Sequence, residues 1–286
     1  MPLRTDIIGR PLPEQLIRVT PRMALAYAAA IGEDSAMCAD DTRADFMAPP
    51  AFCVTPEWQV VIANRTGGLG LTAGEAVRGV HAGQNTRFLR PIRPGVTVRV
   101  SGEVVEVRAT GAGALARTRL DCTDAESGEA LVSTLTSALY RGVAVEGEGG
   151  ALPGVVDVTE AAAPPAQGEN VTLPLDRFFA HRYTECANIW NPIHTERAVA
   201  LAAGLPDIIV HGTALWALAG RVLTARYAPN EPQRLTSLNG RFSAMVLAGD
   251  PITVVHAPGP RPGEIAFTIF NAQGREAVSR GLATFA

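Results

Sequence analysis

Apolar and polar residues alternate through Val96-Thr97-Val98-Arg99-Val100-Ser101, which puts the valines on one face, as a half-buried antiparallel strand requires. Similar patterning predicts strands over 84–88, 97–108, 115–123 and 129–140, and again over 234–242, 251–256, 264–271 and 277–285. Turn formers punctuate both runs: Pro94-Gly95, Gly111-Ala112-Gly113, Gly128, Gly249-Asp250-Pro251, Gly263 and Gly274. Ahead of each run the period changes. A short helix is predicted over 21–32 and over 175–189, and a longer apolar helix over 52–65 and over 212–227. A long helix followed by antiparallel strands is an α+β layer. A helix carrying Phe52, Trp58, Val61 and Ile62 is best covered when the sheet curls around it.

The repetition of element order extends to residues. Tyr27-Ala-Ala-Ala-Ile-Gly-Glu33 answers Tyr183-Thr-Glu-Cys-Ala-Asn-Ile189 at an offset of 156. Thr55-Pro-Glu-Trp58 answers Thr213-Ala-Leu-Trp216 at 158, and Arg87-Phe88 answers Arg241-Phe242 at 154. Three matches in one order, at nearly one offset, indicate duplication. Between the copies, residues 144–170 are rich in Gly, Ala, Pro and Glu and have the composition of a linker. The expected division is 1–145, a linker over 146–168, and 169–286. Joining the two sheets edge to edge makes one pseudo-twofold unit and removes an exposed edge from each copy.

Composition narrows the classes. With 47% hydrophobic and 19% charged residues the chain is globular rather than disordered. A net charge of −3 leaves no footprint for nucleic acid or an anionic membrane. No uncharged apolar stretch reaches the ~20 residues that a bilayer crossing needs, and the first residues contain no signal-peptide run. Cys38, Cys53, Cys122 and Cys186 lie far apart, without metal-ligand spacing, and read as reduced thiols. A cytoplasmic protein is expected.

The chemistry concentrates in Tyr183-Thr-Glu-Cys-Ala-Asn-Ile-Trp-Asn-Pro-Ile-His-Thr-Glu196, followed by His211-Gly212. Asn191-Pro192-Ile193-His194 with the later His211-Gly212 resembles the signature of MaoC-like dehydratases and (R)-specific enoyl-CoA hydratases. Ala48-Pro49-Pro50, Gly83-Gln84 and Arg87-Phe88-Leu89-Arg90-Pro91-Ile92-Arg93-Pro94-Gly95 resemble the partner domain of the same family. The resemblance spans nearly the whole chain. It implies a double hotdog, two curled antiparallel sheets each wrapped around a central helix, with the first copy lining the acyl side. It also implies a hydro-lyase on an acyl thioester carried by coenzyme A or an acyl carrier protein, as a tandem monomer or a homodimer. No metal or redox cofactor is expected.

The residue types fit that chemistry. An imidazole titrates near neutral pH, so His194 suits acid/base work. Pro192 stiffens the loop that presents it, and Asn191 ties that loop by side-chain bonds to backbone. The Gly212 N–H, at the start of an apolar helix, suits an oxyanion, and glycine permits close approach. His211 and the variable-position Trp190 are candidate substrate contacts. His81, His181 and His256 read as structural.

One departure matters. Five residues before the histidine the family has an aspartate; here the position holds Ile189, preceded by Asn188. The first copy has the converse, Glu33 after Gly32 but Cys38 in the histidine's place. Glu185, four residues before Ile189 and thus one helical turn earlier, is the candidate replacement acid. Two other readings stand beside the hydro-lyase: a hotdog thioesterase using Glu57, and a retired acyl-binding or structural subunit. Phe46, Met47, Phe52 and Trp58 suggest a restricted acyl pocket.

Overall fold

The computed structural model describes residues 1–67, 69–162, 165 and 167–286, with backbone alone at 64–67 and 160–161. The first half runs β1 (Leu3–Arg4), β2 (Pro11–Arg18), α1 (Pro21–Ile31), α2 (Ala36–Ala39), α3 (Val54–Gly67), α4 (Ala73–Ala76), β3 (Gly79–Phe88), β4 (Thr97–Thr110), β5 (Gly113–Asp124) and β6 (Ala130–Arg141). A connection follows with β7 (Val145–Glu146), β8 (Gly150–Ala151) and α5 (Val158–Ala161). The second half runs β9 (Glu169–Leu173), α6 (Phe179–Ala187), α7 (Arg197–Ala202), α8 (Gly212–Tyr227), β10 (Leu235–Phe242), β11 (Ile252–Pro258), β12 (Glu264–Phe270) and β13 (Glu276–Phe285).

The main sheet has the order β2-β4-β5-β6-β3-β10-β13-β12-β11-β9, with β8 pairing on β4. Each half contributes five strands in the same internal order, and β3 meets β10 antiparallel at the centre. Asn85 there pairs with Asn239, its own counterpart at the offset of 154. A second contact repeats the symmetry. The hydroxyls of Tyr27 and Tyr183, 156 residues apart, lie 3.4 Å from each other on the packed helices α1 and α6. Double hotdog is therefore the architecture, with α3 and α8 as the two central helices.

Local chemistry sets the helix ends. Thr20 accepts from the Met23 N–H and Pro21 opens α1, which stops at Gly32 in the left-handed region (φ 68°). α8 is apolar around its circumference, burying Leu215, Trp216, Leu218, Val222 and Leu223, as a helix enclosed by a sheet must be. Trp216 satisfies its indole by donating to the Leu238 carbonyl at 3.2 Å.

Three expectations need correction. The patterning missed β2 and β9, the outermost strands; β2 contains Pro11 and Pro13, which suit an edge strand but disguise it. The helix expected over 175–189 is confined to Phe179–Ala187, because Asn188 turns left-handed (φ 52°). The connection is also anchored rather than loose where it is described. Asp157 accepts from Asn85 at 2.7 Å and pairs with the buried Arg117 at 2.6 Å. Ala163, Pro164 and Ala166, within the expected linker, lie outside the described residues. Among the described residues no helix is long and apolar enough to cross a membrane. The cysteines are free thiols, with Cys38, Cys53 and Cys122 buried.

Candidate active site

Asn191 begins the short 3-10 turn Pro192–His194. Its side-chain oxygen accepts from the Ile193 N–H at 3.5 Å, and its carbonyl accepts from the His194 N–H at 3.0 Å. The turn is then fastened to the segment before α8. Ile209 N–H donates to the Ile193 carbonyl, and His194 Nδ1 donates to the Ile209 carbonyl at 2.8 Å. A carbonyl only accepts, so Nδ1 carries the proton and Nε2 is the basic nitrogen of the neutral ring. Val210 N–H, bonded to the Val246 carbonyl, fixes the other side of this segment.

His211 precedes α8 and is 2% exposed. Its ring stacks on His194 with centroids 3.7 Å apart, and its Nε2 lies 3.1 Å from the Thr184 hydroxyl. Burial, and then the neighbouring His194, hold its pKa well below the usual histidine value, with the Ile189 backbone pulling weakly the other way. His211 is thus a neutral platform under His194. The first bonds of α8 run from the Ala214 and Leu215 N–H groups to the His211 carbonyl. The N–H groups of Gly212 and Thr213 come before them and lack intrahelical partners by position. A Cβ on Gly212 would stand 3.1 Å from the Phe242 ring, so a side chain there needs the ring or the helix start to shift.

A cavity of about 430 Å³ joins these groups. Ile189, Asn191, Ile193, His194, His211, Gly212 and Thr213 line one part of it. Another part lies inside the first half, between α3 (Val54, Glu57, Trp58, Val61) and the inner faces of β3, β5 and β6, and residues 241–246 of the second half line the cavity as well. Both copies therefore enclose one space.

The structure brings together Asn191, His194, His211 and Gly212, and it separates the other two candidates from them. Glu185 is exposed and does not line the cavity. The one-turn argument fails because α6 ends before Ile189. Trp190 is 58% exposed and is not among the residues that line the cavity. Glu33 is likewise absent from the lining and accepts from the Ser35 N–H. Ile189 itself lines the cavity at 4% exposure, offering a hydrocarbon surface. Of the aromatic and sulfur residues expected to shape the pocket, only Trp58 does so; Phe46, Met47 and Phe52 are core.

Sequence reasoning undervalued three lining residues: His81, Gln84 and Glu57. Glu57 is the only carboxylate among the described lining residues. It accepts from the Thr134 hydroxyl at 2.6 Å and from Gln84 Nε2 at 3.2 Å. Burial pushes its pKa up to about 8 despite those donors. The Gly83-Gln84 strand start was legible, but only the register of the sheet reveals that Gln84 faces inward.

Residues 167–257 match the family model described as MaoC like domain, and residues 18–142 match that described as MFE-2 hydratase 2 N-terminal domain. Over 252 residues the chain is 26% identical to the peroxisomal multifunctional enzyme type 2 of Drosophila melanogaster. That match takes in 84% of this chain and 41% of the fly protein, so the chain spans less than half of that relative's length. It is 27% identical over 206 residues to 3-hydroxyacyl-thioester dehydratase Y of Mycobacterium tuberculosis, covering 69% of this chain and 68% of that one. The crystal structure of a MaoC-like dehydratase from Phytophthora capsici superposes with a TM-score of 0.84, covering 98% of each chain at 20% identity, a likeness of fold.

Proposed function

We propose that this chain, which belongs to the MaoC-like dehydratase family, is a hydro-lyase that interconverts 3-hydroxyacyl and 2-enoyl thioesters. The observation that carries the reading is the His194 ring. It lines a cavity shared by both copies, its tautomer is fixed by the Ile209 carbonyl, and the start of α8, whose first N–H groups have no intrahelical partners by position, lines the same space.

In the hydration direction, His194 Nε2 takes a proton from water as the water oxygen bonds to C3. The C2–C3 π pair moves toward the thioester, and the carbonyl oxygen gains charge facing the Gly212 N–H, with Thr213 beside it. The imidazolium then returns its proton to C2, so one water is consumed and no charge is left over. Dehydration is the reverse. Neutral His211 supports this cycle: a second cation 3.7 Å away would oppose formation of the imidazolium.

In this account Ile189 leaves His194 without the aspartate that the family pattern places there, so one imidazole handles both proton steps. Substrates with an acidic α-proton or an activated leaving group suit such a site best. The exposed Arg141 and Arg241 line the cavity and suit the phosphates of coenzyme A or of an acyl carrier protein's phosphopantetheine arm.

The thioesterase reading loses support because Glu57 keeps its proton near neutral pH and both its oxygens are engaged, which makes it a poor base for water. Crotonyl-CoA hydration followed at the enoyl absorbance tests the proposal, with wild type beside His194→Ala. We expect kcat to fall about 10²–10⁴-fold. Equal turnover by both proteins sinks the assignment of His194. Tight acyl-CoA binding with no turnover by either identifies a binding subunit instead.

A further inference from the structure

The two copies are built on one plan, but their interiors differ. By the offsets of the repeat, Leu215 stands where the first copy has Glu57, and Leu238 where it has Gln84. Leu215 and Leu238 are buried, and the Leu238 carbonyl accepts from the Trp216 indole. The first copy has polar groups at those positions and an open cavity beside them.

Strand register shows how these groups assemble. Gln84 of β3 pairs with Thr136 of β6, and Thr136 pairs in turn with Thr118 of β5. Residues directly opposite share a face, so an amide and two hydroxyls form a band across the inner wall. One step along, Thr86 pairs with Thr134, and their hydroxyls lie 3.0 Å apart. Glu57 reaches onto this band from α3 through Thr134 and Gln84. Glu57, Gln84, Thr118 and Thr136 all line the cavity.

The network is incomplete in one direction. Gln84 donates to Glu57 and to Thr86, but among the described residues its side-chain carbonyl has no hydrogen-bond partner, and neither has the Thr118 hydroxyl. Neither oxygen is sealed from solvent: both open onto the cavity, where water meets them until a ligand displaces it. An alkyl chain that displaces this water leaves the polar groups without partners, which costs free energy that an apolar wall would avoid. The symmetric half shows that the fold accepts such a wall. The open valences comprise an acceptor and a hydroxyl able to do either. They match a neutral group that both donates and accepts.

We propose that the first copy's inner wall is a specificity site for the distal end of the acyl chain, and that it selects chains bearing a hydroxyl over plain alkyl chains. This rests on the acyl-thioester reading above for the orientation of the chain, and its test does not require turnover. Calorimetry would compare a chain-length series of saturated acyl-CoA thioesters, each against its ω-hydroxy counterpart. At the best-fitting length the hydroxylated chain is expected to bind about tenfold tighter or more, the value of one good hydrogen bond. Gln84→Leu, which copies Leu238, is expected to reduce that ratio to within about threefold of unity. Should that variant fail to fold, Thr118→Val makes the same comparison on β5, with β6 between the two strands. A ratio near one in the wild type at every length, or a ratio unchanged by both substitutions, overturns the inference. A clear ratio in a protein that hydrates none of the corresponding enoyl thioesters supports it while removing the hydro-lyase reading.

Discussion

Burial moves the Glu57 carboxyl from 4.5 to about 8 against the pull of Thr134, Gln84 and Cys53, with Asp121 adding to the rise. Its folded pKa is above its unfolded one, so between those values the native state holds a proton that the unfolded chain has released. Stability then declines as pH rises from about 4.5 to about 8 and levels off beyond, with a slope of up to about 1.4 kcal/mol per pH unit. Glu57→Gln removes this titration and keeps the shape. We expect its unfolding free energy, relative to wild type, to increase by about 1 kcal/mol per unit across that window. Urea titrations at both ends of the window measure it. A difference that stays constant with pH would mean that the carboxyl ionises as freely in the fold as out of it. Such a residue is hard to weigh from sequence. Glu57 reads there as an acid on the central helix that a thioesterase could use, while its cost and company depend on strands far away in the chain.

At the scale of elements, the start of α8 is held by contacts that a single methyl would disturb. Gly212 packs on Phe242, whose ring in turn meets His81 edge-on with centroids 4.7 Å apart. Gly212→Ala keeps the backbone N–H but drives a Cβ to 3.1 Å from the Phe242 ring. The helix start or the ring must give way. Crotonyl-CoA hydration is expected to drop about tenfold in kcat/KM, because sub-ångström shifts matter to an oxyanion donor. Adding Phe242→Leu, which vacates the space, should restore much of it. No recovery in the double variant would locate the effect elsewhere. The limits of α8, Gly212–Tyr227, were legible because one apolar run begins after a glycine and ends at a polar break. The site loop was legible because Asn191, Pro192 and His194 each act locally. Glu185 was misjudged for an element-level reason: the inference extended a helical period through Asn188, where the backbone is left-handed. β9 was missed because five residues beside a Gly- and Pro-rich connection supply too little alternation, and only pairing with β11 makes them a strand.

For the molecule as a whole, the repeat raises the question of whether two copies make two folding units. The contacts argue for one. β3 and β10 pair continuously at the centre of the sheet, Tyr27 touches Tyr183, and α5 of the connection packs on β10 and β13. Asp157, just before α5, bonds Asn85 and the buried Arg117, both in the first half. Arg117 also pairs with Glu106 at 2.6 Å, so removing Asp157 breaks a buried network without freeing the cation entirely. Asp157→Ala should therefore cost on the order of 3 kcal/mol. Two indoles tell whether the loss is shared. In a Trp190→Phe background, a further Trp216→Phe leaves Trp58 to report on α3, and Trp58→Phe leaves Trp216 to report on α8. If the molecule unfolds as one unit, Asp157→Ala lowers the urea midpoint seen by either indole equally, as coincident transitions require. If the copies are independent, the Trp58 signal moves further than the Trp216 signal, since Asp157 bonds Asn85 and Arg117 in the first half and reaches the second only through its cap on α5 at Thr159. We expect the shifts to coincide. A cavity walled by both copies keeps its shape only while neither copy opens alone.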